Sequence, residues 1–255
     1  MNNKMKLKKR AYAIHAIVRY AVKKIIVNKK FILTLLVAVF LSVVCGYAVT
    51  QNFDTIANGA TLLDTFILSL FLPIMTMVYS SSVIRDEIED KSITMVLASP
   101  LQRYLIYLSY WFAVMISLSI VMVLITSSGF FTFFGLTELT KDAMKLYLVM
   151  CGLVLVGSLA YSALFLLVSL LLKKPIYFSL FYAFVWEGFL GSLPGKIHEI
   201  AINHYIRSIG AEWVEWGSLS FYSGTALWCS FSVISVLTIL LLFAGVLILS
   251  EKELT

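Results

Sequence analysis

The run Phe31-Ile-Leu-Thr-Leu-Leu-Val-Ala-Val-Phe-Leu-Ser-Val-Val-Cys-Gly-Tyr-Ala-Val-Thr-Gln-Asn-Phe53 holds no charged residue. A hydrocarbon core of about 30 Å needs about 20 consecutive apolar residues in a helix, so this run predicts a first membrane span at 31–50. Further runs of the same kind follow. One covers 62–82, with Asp64 near one end. Tyr104 to Thr137 is uncharged and predicts a span at 105–127 followed by a wet end. Others cover 146–172, 175–193 with Glu187 inside it, and 226–249. Helices are expected because lipid cannot satisfy an open backbone. A β-barrel needs alternating segments, and Leu237-Thr-Ile-Leu-Leu-Leu-Phe243 does not alternate. The expected fold is an all-α integral membrane protein with a six-span domain over 31–250.

Composition agrees with this. The 255 residues are 60% apolar and only 13% charged, against about 25% charged in an ordinary soluble domain. These values exclude a secreted disulfide scaffold and a disordered polymer. Cys45, Cys151 and Cys229 all lie in apolar runs without metal-ligand spacing.

Half of the 20 Lys and Arg residues precede residue 31. With six spans, one side of the membrane receives that tail, the 85–103 loop, Lys173, Lys174 and Lys252. That side holds sixteen basic residues, and Lys141, Lys145, Lys196 and Arg207 are left for the other. The positive-inside rule then puts both termini, including the tail 251–255, in the cytoplasm of a plasma-membrane protein; the alternative, with the segment from Pro175 re-entrant, has five spans and an external C-terminus. The basic flank is too long, and lacks the small-residue cleavage pattern, for a signal peptide, so the first span is expected to be retained.

Within residues 1–30, Ile14, Ile17, Val18, Ala21 and Ile25 follow one helical face, with Arg19, Lys23 and Lys30 largely off it. This predicts an amphipathic helix at the cytoplasmic membrane interface. Anionic lipid accounts for its charge, and no nucleic-acid partner is expected. The 85–103 loop places four acids between Asp86 and Asp90, then an apolar face of Ile93, Val96 and Leu97 stopped by Pro100. A simple turn needs about 2–8 residues; this loop is either a solvated connection or a docking surface for a cytoplasmic partner. Residues 194–225 predict an external helical region with interfacial Trp213, Trp216 and Tyr222.

Motifs for chemistry fail on inspection. Gly191-Ser-Leu-Pro-Gly-Lys196 is one residue short of a phosphate-binding loop, and Ile197 stands where Ser or Thr must meet magnesium. His198-Glu199 is followed by Ile202 where a zinc protease needs its second histidine. The chain is therefore read as a non-enzyme, with no catalytic, cofactor or metal residues. Glu187 is the anomaly: an acid inside an apolar run is costly unless it faces protein, water or the membrane interface. Glu187 and Asp64 are read as buried or path-lining polar residues, with the Tyr182 hydroxyl or Asp64 as a conceivable partner of Glu187. Pro73, Gly152 and Gly157 mark kinks or close helix contacts.

This arrangement resembles the permease subunits of type-2 ATP-binding-cassette exporters. The stretch Ile84-Arg-Asp-Glu-Ile-Glu-Asp-Lys-Ser-Ile-Thr-Met-Val-Leu-Ala-Ser-Pro-Leu-Gln-Arg103 is similar to the family's Arg/Lys-Glu-x-Glu-x-Gly-Thr … Leu-x-Ser/Thr-Pro-x-x-Arg segment. Arg85, Glu87, Glu89, Leu97, Ser99, Pro100 and Arg103 fit it, while Lys91 and Ser92 replace Gly-Thr. Trp186 to Gly195, then Ile197 to Ile209, resemble the family's acid-containing fifth span and external hairpin. The resemblance implies a dimer with a second permease copy or paralogue and two separate ATPase subunits, which alone hold ATP and magnesium. It assigns coupling to Arg85, Glu87, Glu89, Ile93, Val96, Leu97 and Arg103. The alternatives are a structural or assembly membrane protein without transport, a secondary transporter and a membrane-embedded enzyme.

Overall fold

The computed structural model describes residues 3–26, 30–51, 55–89, 102–172, 174–189, 197–213 and 224–251. These residues are helical almost throughout. Helix α1 is Asn3–Ile26 and α2 is Lys30–Thr50. Helix α3, Ile56–Leu63, widens into a π-helical segment, Asp64–Phe71, and continues as α4, Leu72–Glu89. Helices α5, Arg103–Leu136, and α6, Lys141–Leu171, form the centre. Helix α7, Pro175–Phe181, runs into a second π segment, Tyr182–Phe189. A 3-10 turn, Ile197–Ile200, precedes α8, Ile202–Trp213, and α9, Leu227–Glu251, follows.

Five helices among the described residues are long and apolar enough to cross a membrane: Lys30–Thr50, Ile56–Ser81, Arg103–Leu136, Lys141–Leu171 and Leu227–Glu251. The six-span expectation is corrected at 175–193. Helix α7 has 7 residues and the π segment after it has 8. At about 1.5 Å per residue, the two together reach only about 22 Å, short of about 30 Å of hydrocarbon. Among the described residues, this run does not form one membrane-length helix. The passage from α6 to α9 is made by α7, the π segment and α8 in turn.

Contacts fix the course of the bundle. Thr140 caps α6 through the Ala143 N–H at 3.2 Å, which turns α6 back antiparallel to α5. Arg103 Nη1 donates to the Ser250 carbonyl at 2.8 Å, so the end of α9 lies at the start of α5. Helix α2 lies along the other half of α5: Ser128 donates to the Ala38 carbonyl at 2.9 Å, and Gly46 faces Thr132 and Leu136. Helix α1 packs on α5, with Ala21 and Ile25 buried and Ile17, Val18 and Val22 against the core. Its other face exposes Tyr12 and Tyr20.

Helices in lipid gain little from apolar burial against one another, and association relies on close packing and hydroxyl pairs. Ser119 of α5 meets Ser158 of α6 at 2.9 Å, and Ser127 meets the Tyr147 hydroxyl at 2.8 Å. Ser42 pairs with Ser128, and Thr34 with Tyr79. Such bonds average about 0.6 kcal/mol. Glycines supply the approach. A Cβ on Gly245 of α9 would lie 2.1 Å from the Tyr107 hydroxyl oxygen and 2.2 Å from its ring, whereas one on Gly135 would meet nothing within 4 Å.

Gly245→Leu is therefore expected to lower the thermal midpoint in detergent by the equivalent of about 1–3 kcal/mol, the usual cost of overpacking. Gly135→Leu, on an exposed helix face, should leave it unchanged or raise it. Equal behaviour of the two in a thermal shift assay would contradict the packing of α9 on α5.

Candidate functional site

Two acids sit in the interior, one on each π segment. Pro73 accounts for the first widening. It has no N–H for the carbonyl of Ser69, and its ring would clash with that carbonyl in a regular helix. The turn opens just before it, with the Leu72 N–H bonding to the Ile67 carbonyl. Asp64 begins this segment and is buried. Nothing in the sequence explains the second wide turn, which carries Glu187, buried with 4% exposure.

Helix α8 binds both acids. Its first turn has N–H groups without intrahelical partners, and the residue before it is Ala201, which has no side-chain acceptor and makes a poor N-cap. Glu187 takes that role from fifteen residues upstream. Its Oε1 accepts from the Ile202 N–H at 3.1 Å and Oε2 from the Asn203 N–H at 3.2 Å. The Tyr182 hydroxyl donates to Oε1 at 2.8 Å. Tyr161 of α6, fully buried, stands beside the carboxylate but outside hydrogen-bond geometry. The donors that hold Glu187 are neutral, and the helix N-terminus adds a favourable partial positive charge.

One turn further along α8, Arg207 forms a fork on Asp64. Its Nε–H reaches Oδ1 at 3.1 Å and Nη2 reaches Oδ2 at 2.8 Å. Nη2 also donates to Ser69 Oγ at 2.7 Å, and Asn203 Nδ2 donates to the same oxygen at 3.2 Å. This two-pronged geometry is the strong form of an ion pair. Glu187 and Asp64 are thus not partners of each other; each binds a different part of α8.

The seat of α8 is a notch in α6. Gly157 faces Ile206 together with Leu72 of α4, and Gly152 faces the Trp213 ring. Beyond the notch, His198 and His204 rings lie 4.6 Å apart. Burial, helped by His198, holds His204 below the usual imidazole range. No group of three or more His, Cys, Asp or Glu with metal-binding geometry occurs among the described residues.

Of the residues expected to couple to a partner, Arg103 is exposed and caps the last turn of α9 through Ser250. Arg85, Glu87 and Glu89 lie in the final turns of α4. Ile93, Val96 and Leu97 fall outside the described residues. Arg207 and Ser69 were missed by sequence reasoning. The available signal was an isolated Arg near an apolar helical face and an isolated Asp in an apolar run, which invite pairing.

No protein-family model matches the chain, and no curated protein matches it. The structure is that of a multi-span all-α membrane protein, consistent with a membrane permease in general terms.

Two outcomes follow for the site. Glu187→Ala should lower stability by about 1–3 kcal/mol through the orphaned N–H groups, and adding Ala201→Ser, a local N-cap, should recover about 0.5–2 kcal/mol. Thermal midpoints of the single and double variants check this; no recovery would contradict capping by Glu187. Asp64→Leu and Arg207→Leu should each destabilise more than half as much as the pair together, with a coupling of about 1–3 kcal/mol in a double-mutant cycle. Strict additivity would show that the ion pair carries no coupling.

Proposed function

We propose that this chain is the membrane-spanning permease subunit of an exporter powered by separate ATPase subunits, of the type-2 ATP-binding-cassette kind. The observation that carries the proposal is the interrupted passage between α6 and α9. Among the described residues, a π segment carries a buried acid into the bundle and a second short helix, α8, starts against that acid, which brings backbone N–H groups into the protein interior. Membrane proteins keep such irregular backbone where it is covered by protein or lines a cavity. Discontinuous helices of this sort supply binding and moving parts in transporters. The sequence between Ile84 and Arg103, at the end of α4, supports the ATPase-linked form of this reading through its resemblance to the family's coupling segment.

In this proposal the chain pairs with a second copy or a paralogue and docks two ATPase subunits. Docking uses Arg85, Glu87, Glu89, Ile93, Val96, Leu97 and Arg103. ATP and magnesium belong to the partner subunits, and the energy they supply acts only through different affinities for two arrangements of the spans. In this proposal both termini are cytoplasmic: the end of α9 lies at the start of α5, and the basic residues favour that side facing the cytoplasm of a plasma-membrane protein.

Purification of the tagged chain from its native membrane should bring down an ATPase subunit. Making Ile93, Val96 and Leu97 all polar should abolish that co-purification while leaving membrane insertion intact. Reversing Glu87 and Glu89 should weaken it less, because exposed ion pairs contribute only about 0.2–1 kcal/mol each. An ATPase that still co-purifies fully with the triple variant would reject this docking surface. A native chain that brings down no ATPase would favour a structural or assembly role.

A further inference from the structure

The two π segments touch one another, each contributes one buried acid, and both acids grip the same helix. A π turn differs from an α turn by one extra residue. Its loss advances the following residues by one position, about 100° around the axis. Such a change in either segment would turn its carboxylate away from α8. Apart from the acids, α8 is held by apolar packing, with Ile202, Ile206 and Ile209 buried. Gly152 and Gly157 present no side chain to interlock with Trp213 or Ile206.

The polar groups around the joint are also incompletely matched. Among the described residues, the Tyr161 hydroxyl, the Asn203 Oδ1 and the Ser179 hydroxyl are buried without a hydrogen-bond partner. Tyr161 already stands next to Glu187. A buried network with unmet groups is not at its best geometry. Two arrangements of comparable energy are what a switching element requires.

We propose that α8 and the two π segments form one hinged unit. Rearrangement of the wide turns releases Glu187 from the α8 N-terminus and Asp64 from Arg207, and α8 then swings out of the α6 notch. This device does not depend on which ATPase, if any, drives the chain. Its failure and the failure of ATPase docking are therefore separate results.

The test is hydrogen–deuterium exchange of the full chain in nanodiscs of phosphatidylethanolamine and phosphatidylglycerol. In the wild type, amides of Tyr182–Phe189 and Ile202–Trp213 should open at one common rate, at least tenfold faster than the buried middle turns of α5 and α6. Next, Ser69 and Asn203 are both made cysteine in a chain with Cys45, Cys151 and Cys229 replaced by alanine, and the pair is cross-linked. The cross-link should slow exchange of α8 and of the second π segment together, by tenfold or more, and a reductant should restore it. Glu187→Gln should speed both without changing α5 and α6. Wild-type α8 exchanging as slowly as the middle of α6 would overturn the proposal. So would a cross-link that slows α8 and leaves the second π segment unchanged. The wild-type measurement decides even if the variants fail to fold.

Discussion

A helix that begins within a membrane bundle must find acceptors for its first N–H groups, because neither lipid nor its own chain supplies them. Helix α8 begins at Ile202 behind an alanine, and the Glu187 carboxylate is what meets this need. Much of the architecture around the site answers to that constraint. The preceding passage must bring Glu187 to the first turn of α8. It must widen into a π turn, and Tyr182 must orient the carboxylate from the same segment. Had 175–193 formed one regular span, α8 would have had no cap and no reason to enter the bundle.

The Asp64–Arg207 fork completes the arrangement from the opposite side. A buried ion pair is weak evidence for stability, since desolvation offsets much of its attraction. Its geometric effect is clearer: it fixes the rotation of α8 and thereby the faces that Ile206 and Trp213 turn towards α6. The glycines of α6 then matter as empty places. At Gly157 a side chain would collide with both Leu72 and Ile206.

Much of the fold was legible in the sequence. Uncharged runs located five membrane-length helices, and Pro73 pointed to the first irregular turn. The span at 175–193 was misread because hydropathy reports the surroundings of a segment and is blind to its helical regularity. Phe178, Phe181 and Phe184 are exposed, as a lipid-facing helix would have them. The Ile202 and Asn203 N–H groups that hold Glu187 lie fifteen and sixteen residues further on. The site was legible in part. Glu187 and Asp64 stood out as acids in apolar runs, and Tyr182 was close enough in sequence to be named. Arg207 entered only as one of four basic residues on the less basic side, and sequence position does not tell a solvated cation from one aimed at an acid on another helix. Past residue 127, α5 continues unbroken to Leu136, with α2 against it at Thr132 and Leu136.

The length of α5 sets a relation between the protein and its solvent. Its 34 residues make a rod of about 51 Å, far longer than the hydrocarbon layer of about 30 Å. Helix α2 clads one half of this rod, and the end of α9 is tied to its other tip. Even a tilt of about 40°, the upper end of the usual range, would leave about 39 Å along the membrane normal, so part of α5 projects beyond the hydrocarbon. Bilayer thickness then becomes a mechanical input: a thicker membrane favours a steeper α5. The contacts that would carry this load are the Ser42–Ser128 pair and Tyr107 against Gly245.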